Sequence, residues 1–197
     1  FELSTPAYNN EVLYVAVSQN YFTDNIVVRA INTNNGNDLW KVTLGGYSGQ
    51  TNTPVTYDNG YIYFGTWTTS GTGTYFQLNA NNGAIVNTFE TTDAFGSTDY
   101  GYYWAGAAVI GNYLVFGDEG GNVISLNKNT MAYVGHSAAP SSSIRSSICY
   151  ADGDLFFTSN DGTCYRVDFS IGVPSLVVWT ANIGTSSTST PAVYDGR

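Results

Sequence analysis

The connection at residues 91–104 carries the side chains best suited to binding a ligand. It combines the carboxylates Asp93 and Asp99 with four aromatic residues in close succession, namely Tyr100, Tyr102, Tyr103 and Trp104. Aromatic rings offer apolar area with a polar tip, so this combination suits a sugar, a peptide or a protein surface. The alternative is that the rings pack between neighbouring elements and that the insertion is merely tolerated. These six residues are our candidates for ligand binding, and the sequence leaves both interpretations open.

The sequence offers little that could support catalysis. His136 is the only histidine, so a histidine-based metal cluster cannot form within the chain. We expect His136 to be a loop residue rather than a catalytic base. The glycine-rich stretches at 45–49 and 71–73 lack the lysine of a phosphate-binding loop and are typical of strand connections. We therefore predict a non-enzymatic protein with no catalytic residue.

One stretch has the alternating oxygen ligands that some calcium-binding loops show. Asn32, Asn34 and Asp38 surround Gly36 at alternate positions. The run is only partly acidic, however, and it lacks a bidentate glutamate at its end. The pattern favours an ordinary turn, and we predict neither a metal site nor a cofactor.

The two cysteines, Cys149 and Cys164, are predicted to lie on strands that are separated by one intervening strand. Strand spacing would place their Cα atoms roughly 9–10 Å apart, beyond the reach of a disulfide of about 7 Å. We expect two free and largely buried thiols.

Composition limits the partners of this 197-residue chain. Asp and Glu number 15 against 6 Lys and Arg, which gives a net charge of −9. Without a basic patch, nucleic acid and anionic membrane surfaces are poor partners. No apolar run is long enough to span a membrane. The acidic, aromatic-rich composition is typical of an extracellular or cell-surface protein.

The elements that must position these residues follow a repeated strand–turn–strand pattern. At residues 30–40 an apolar strand enters a polar turn at Gly36, and a new strand opens before Trp40. Residues 78–86 repeat the pattern with Gly83, residues 126–134 repeat it without a glycine, and residues 167–179 repeat it with an insertion. Glycine suits such turns because it tolerates positive φ. The copies predict a repeat architecture.

Each copy is preceded by a predicted hairpin, so each unit reads as four antiparallel strands in roughly 40–50 residues, the spacing of a β-propeller blade. We predict an all-β fold with blades at residues 4–50, 51–101, 102–144 and 145–187, and the first strand of a fifth at 188–197. A second insertion is expected at residues 21–24. The blades could be part of a larger propeller, close on themselves, or associate with a second chain.

The motif at residues 30–40 resembles the pyrroloquinoline-quinone (PQQ)-like repeat of one β-propeller family, with Asn32 in place of the usual aspartate. The blade openings at residues 53–60 and 190–196 are similar to that family as well. The resemblance implies structural roles for Gly36, Trp40, Gly83 and Trp179, with each Trp ring packed between neighbouring blades and its N–H bonded to a backbone carbonyl. Tyr133, and Val86 or Phe89, stand where the other copies would have tryptophan, which implies looser contacts.

The resemblance also bears on function. Quinone-binding members use a calcium ion and often vicinal cysteines, and this chain has no adjacent cysteine pair; its one Glu-containing acidic pair is Asp118 and Glu119. Other relatives are extracytoplasmic scaffolds. We therefore expect a non-catalytic module that binds a protein or glycan partner. The alternative is a fragment of a quinoprotein dehydrogenase or of a polysaccharide-active propeller enzyme.

Overall fold

The computed structural model of the chain describes residues 4–18, 26–96, 98–137, 140 and 142–194. The insertion predicted at residues 21–24 and the last three residues of the predicted fifth blade lie outside the described residues. The chain divides into two compact units, Phe1–Tyr103 and Trp104–Arg197.

The first unit contains two antiparallel four-stranded sheets whose strands follow in chain order. The strands of the first sheet are β1 (Ala7–Asn9), β2 (Val12–Ser18), β3 (Ile26–Asn32) and β4 (Asp38–Leu44). Those of the second sheet are β5 (Thr56–Asp58), β6 (Tyr61–Gly65), β7 (Tyr75–Asn79) and β8 (Ile85–Phe89). The single short helix among the described residues, α1 (Thr92–Phe95), follows β8.

The second unit repeats this arrangement in two further sheets. The strands of the third sheet are β9 (Ala108–Ile110), β10 (Tyr113–Gly117), β11 (Val123–Asn127) and β12 (Tyr133–Ser137). Those of the fourth are β13 (Cys149–Ala151), β14 (Asp154–Ser159), β15 (Thr163–Asp168) and β16 (Val177–Asn182). The predicted all-β class with four-stranded antiparallel units is confirmed. Residues 183–194 contain no strand.

Each unit has an aromatic core between its sheets. In the first unit, Phe64 and Phe76 are fully buried and stacked, with ring centroids 5.2 Å apart. In the second unit, Phe157 stacks on Tyr165 at 5.3 Å. Burying one such side chain stabilises the folded state by about 1.5–3 kcal/mol. The most buried strands are the central ones, β6, β7, β10, β11 and β14.

The turn between the third and fourth strands begins in the same way in every sheet, and the first three turns also close alike. The side-chain oxygen of the last third-strand residue accepts a hydrogen bond from the backbone N–H two residues later, at 2.8–3.0 Å; these acceptors are Asn32, Asn79, Asn127 and Asp168. The residue that then closes the turn has positive φ: Gly36 at 73°, Gly83 at 72° and Met131 at 57°. Met131 therefore adopts the conformation that glycine provides in the other copies.

A register shift recurs immediately before this turn in all four sheets, where the fourth strand carries one extra residue. In each sheet, the last third-strand residue before the shift pairs with one residue of the fourth strand. These fourth-strand residues therefore occupy equivalent positions in the four sheets. Trp40 and Trp179 are equivalent by register, but Trp179 is 40% exposed and contacts Phe156 of its own sheet, unlike the packing between neighbouring blades that was predicted for it. The equivalents in the second and third sheets are Asn87 and Gly135. The assignment of Val86, Phe89 and Tyr133 to this position was therefore wrong, because the bulge changes the count along the strand.

The cysteines lie on β13 and β15 with β14 between them, and both thiols are free, as predicted. They are only half-buried, however, rather than largely buried. Burial still raises the pKa of the Cys164 thiol above its ordinary value. His136 also differs from its prediction, since it lies on strand β12 and not in a loop.

Candidate functional site

Trp40 joins the first sheet to the second. Its Nε1 donates a 2.9 Å hydrogen bond to the carbonyl oxygen of Ala80. Gly83 lies beneath the ring, and a Cβ atom added there would be only 2.7 Å from Cζ3 of Trp40. We call this contact between Trp40 and the 79–84 turn the seam. It shows that Gly83 is required for close approach as well as for its positive φ.

The contact between the third and fourth sheets is built differently, because Gly135 stands at the tryptophan position. The insertion in the fourth copy fills that space: a Cβ atom added at Gly135 would be 2.5 Å from Cγ1 of Val173. Ser125 Oγ donates a 2.8 Å hydrogen bond to the carbonyl oxygen of Gly172. A valine and a backbone carbonyl supplied by the neighbouring copy thus replace the tryptophan ring and its bond.

Both candidate carboxylates of the 91–104 connection are used to order that connection. Asp99 Oδ1 accepts bonds from the backbone N–H and the hydroxyl of Thr91, and its Oδ2 accepts one from the N–H of Gly73 at 3.2 Å. Asp93 Oδ2 accepts a 2.9 Å bond from the N–H of Glu90. Asp99 therefore ties two loops of the first unit together, and Asp93 fixes the entry to α1.

Tyr102 does not contribute to a surface site, contrary to its place among the candidates. Its side chain is fully buried and packs edge-to-face on Tyr75, with ring centroids 5.0 Å apart. Its backbone N–H donates to the carbonyl oxygen of Thr66, and its Cβ closely approaches Gly65. Tyr102 therefore belongs to the core of the first unit.

Tyr103 remains half-exposed and contacts a residue that the sequence analysis did not select. Its ring lies 5.1 Å from that of Trp67, tilted by 58°. Trp67 forms an isolated β-bridge with Gln50, and its ring edge rests against Gly101. The only feature of the sequence that could have indicated Trp67 is that it is a bulky aromatic residue among small residues, between Gly65 and Gly71. Tyr100 is also half-buried, and its backbone is bonded to the Thr91 hydroxyl.

Three hydroxyl groups lie close together in the same loop as Trp67. The oxygen of Thr68 is 2.7 Å from that of Ser70 and 2.8 Å from that of Thr72, and the last two are 3.2 Å apart. We call Trp67, Tyr103 and these three hydroxyl residues the aromatic–hydroxyl surface. Such a surface combines ring area with donors and acceptors that can bond a polar ligand.

Two buried oxygens lie beside Gln50, the bridge partner of Trp67. Thr51 Oγ1 and Asn52 Oδ1 are buried, and neither has a hydrogen-bond partner among the described residues. The Asn52 amide donates to Gln50 Oε1 at 2.8 Å. Buried polar atoms are nearly always bonded, so these two oxygens are exceptions to the usual pattern.

Trp104 belongs to the second unit and has a different environment. Its backbone is left-handed, with φ of 63°, and the Arg145 guanidinium lies 6.0 Å from its ring centroid. Arg145 forms a two-pronged ion pair with Glu119, at 2.8 and 2.6 Å. Because this pair is partly shielded from water, it holds the loop after β10 against the segment that leads to β13.

Asp118, next to Glu119, is fully buried. Burial raises its pKa to about 6, although bonds from the backbone N–H and amide of Asn122, both 2.7 Å, act in the opposite direction. Asp38, from the calcium-like pattern, instead pairs with Arg29 at 2.8 Å. In the described part of the chain, no three His, Cys, Asp or Glu side chains are grouped as metal ligands would be.

The comparisons with known proteins agree on the fold. Residues 24–98 match the family described as outer membrane protein assembly factor BamB. BamB from Moraxella catarrhalis is 20% identical and superposes with a TM-score of 0.69, over 95% of this chain and 54% of that one. The chain therefore spans about half the length of this relative. No curated protein sequence matches the chain significantly.

Two further solved structures show the same fold. The quinohemoprotein alcohol dehydrogenase ADHIIG from Pseudomonas putida HK5 is 16% identical, with a TM-score of 0.69 over 90% of this chain and 34% of that one. The computationally designed Ika8 protein is 12% identical, with a TM-score of 0.68 over 98% of this chain and 65% of that one. Within the described residues, no helix has the length and apolarity needed to cross a membrane. The four sheets and these likenesses together confirm the resemblance to β-propellers built from PQQ-like repeats.

Proposed function

We propose that the chain is a non-catalytic binding module of the cell envelope or cell surface, which holds a protein or glycan ligand at the aromatic–hydroxyl surface. The observation that carries the proposal is the half-exposed Trp67–Tyr103 pair beside three clustered hydroxyls. The family match to an outer membrane protein assembly factor supports a location in the cell envelope and a protein partner.

The polar groups of the first unit support binding rather than chemistry. Asp99 and Asp93 both accept hydrogen bonds that order loops, which gives these carboxylates a structural role. The aromatic pair, by contrast, rests on a fixed backbone, because the bridge between Gln50 and Trp67 and the close contact at Gly101 hold it in place. A rigid aromatic surface loses little conformational entropy when a ligand binds.

Binding can be tested with the double variant Trp67→Ala, Tyr103→Ala, screened beside the unchanged protein on glycan and peptide arrays. We expect a ligand of the unchanged protein to lose at least about tenfold in affinity, because aromatic residues at the centre of a binding surface contribute most of its energy. Tyr8→Ala is the matched control, since Tyr8 is an exposed aromatic residue on β1 of the same unit. Equal binding by the double variant would contradict the assignment of this surface.

The enzymatic alternative rests on the structural likeness to a quinohemoprotein alcohol dehydrogenase. The residues present do not fit a quinone with calcium, since the cysteines lie on separate strands and the side-chain oxygens of Asn32 and Asp38 are bonded within the protein. Titration with PQQ and calcium, followed by absorbance, distinguishes the two functions. We expect no stoichiometric uptake, and tight uptake would refute the non-catalytic proposal.

A further inference from the structure

Trp179 is equivalent to Trp40 but is more exposed. Both residues are on the fourth strand of their sheet, just before the recurrent register shift. Trp40 is half-buried and bonded to the next sheet, whereas Trp179 is 40% exposed and contacts Phe156 of its own sheet, at 6.2 Å between ring centroids. The rest of β16 is also largely exposed. The fourth sheet therefore presents the tryptophan half of a seam.

The first sheet presents the other half. Its 32–37 turn matches the 79–84 turn in the acceptor bond of its asparagine, 2.8 Å in both, and in the φ of its glycine, 73° against 72°. Thr33 stands where the second sheet has Ala80, the acceptor of the Trp40 bond. Gly83 is buried beneath Trp40, but Gly36 is exposed, and a Cβ atom added there would meet no atom within 4 Å.

We propose that a second copy of this chain covers the face of the fourth sheet, with Trp179 of one copy packed on the 32–37 turn of the other. In this contact Trp179 Nε1 donates to the carbonyl oxygen of Thr33, and Gly36 lies beneath the indole ring. The contact joins two different surfaces, so it is head-to-tail. It reproduces between chains the seam that Trp40 makes within one.

The surroundings of Trp179 are compatible with burial in such a contact. An open cleft of about 450 Å³ lies beside the ring, lined by residues that include Phe156, Arg166 and Pro191. The only charges that line it within the described residues are the Arg166 guanidinium and two carboxylates. Arg166 is already paired with Asp154 through Nε at 2.7 Å and lies 5.9 Å from the Phe156 ring. Covering this pair would bury two opposite charges together, while Asp152, the second carboxylate, is on an exposed turn at the edge of the cleft.

Two features should weaken the contact. Residues 191–193 line the same cleft, so the second copy must pack against this segment or displace it. The net charge of −9 on each copy also opposes association, and this repulsion is screened by salt. We therefore expect self-association that depends on concentration and strengthens as the ionic strength increases.

Sedimentation velocity of the full chain over a wide concentration range tests the proposal. The unchanged protein should associate, and Trp179→Ala should raise the dissociation constant on the order of 30-fold, as expected for a central tryptophan. Tyr133→Ala is the matched control, because Tyr133 is 39% exposed and on β12, the fourth strand of its own sheet. It should associate like the unchanged protein.

A second pair of variants tests the other side of the contact. Gly36→Asn places a side chain where Trp179 should pack, and Gly60→Asn makes the same change at another turn with positive φ and open space. Only Gly36→Asn should weaken association. A protein that stays monomeric at all concentrations and salt levels would overturn the proposal. So would association that Trp179→Ala or Gly36→Asn leaves unchanged.

Discussion

Asp118 shows how one residue can make stability depend on pH. The folded protein removes its carboxyl group from water, and this raises its pKa to about 6 despite two hydrogen bonds from Asn122. The folded state therefore holds the proton of Asp118 more tightly than the unfolded state does, where the pKa is about 3.9. The stability that this proton contributes is complete below about pH 4 and is lost as the pH rises through about 6.

The variant Asp118→Asn removes this titration. The difference in free energy of unfolding between the unchanged protein and the variant should therefore shift against the unchanged protein by roughly 2 kcal/mol between pH 4 and pH 7. Urea denaturation at a series of pH values measures it. Asp93→Asn, at an exposed carboxylate, is the control for effects of net charge. A difference that is independent of pH would show that burial of Asp118 does not perturb its titration.

The candidate binding residues could be only partly anticipated at this scale. The residue types selected the 91–104 connection, and Tyr103 is half-exposed there. They could not predict that Tyr102 is buried, because the direction of a side chain depends on a backbone bond to Thr66 that no local pattern reveals. Nor could they select Trp67, whose exposure depends on the bridge to Gln50, 17 positions away. Whether the surface binds a ligand stays a prediction.

At the scale of elements, the recurrent turn and register shift govern how the sheets meet. The sequence predicted the strands and turns well, because glycine, asparagine and alternating apolar residues act locally. It misplaced the tryptophan position in the second and third sheets, because a bulge moves the following residues to the other face. The replacement of tryptophan by Val173 was also unpredictable, since it pairs residues almost 40 positions apart in the chain.

Two glycine substitutions separate the conformational and the packing roles of the turn. Gly36 and Gly83 have nearly the same positive φ, so alanine at either position should cost about 1–2 kcal/mol. Gly83→Ala should cost measurably more than Gly36→Ala, because its Cβ atom would also press against the Trp40 ring. Thermal or urea denaturation of both variants gives the comparison. Equal losses would mean that Trp40 moves aside without cost.

At the scale of the whole chain, charge dominates behaviour in solution. Acidic residues outnumber basic ones by 15 to 6, and the isoelectric point is about 4.1. Mutual repulsion between molecules therefore disappears as the pH approaches this value. The same imbalance is visible in the sequence alone, whereas the exposed faces that could then meet became visible only in the structure.

Turbidity and light scattering across the range from pH 7 to pH 3 should show a solubility minimum near pH 4, since net charge of either sign opposes precipitation. Added salt should reduce solubility at pH 7, where repulsion is strongest, and have less effect near the minimum. Trp179→Ala should be more soluble than Tyr133→Ala at the minimum, because the former removes the ring of an open face. Equal precipitation by the two variants would show that this face plays no part.

The packing of Val173 over Gly135 limits which copies can be placed next to each other in an engineered chain. The junction within each unit is a matched pair: an indole ring facing a glycine in the first unit, and a glycine facing an inserted valine in the second. If the fourth copy were transplanted to follow the first, Val173 would compete with Trp40 for a single volume. We therefore expect that a copy moved to a new position would pack well only if the neighbour that fits it moved with it.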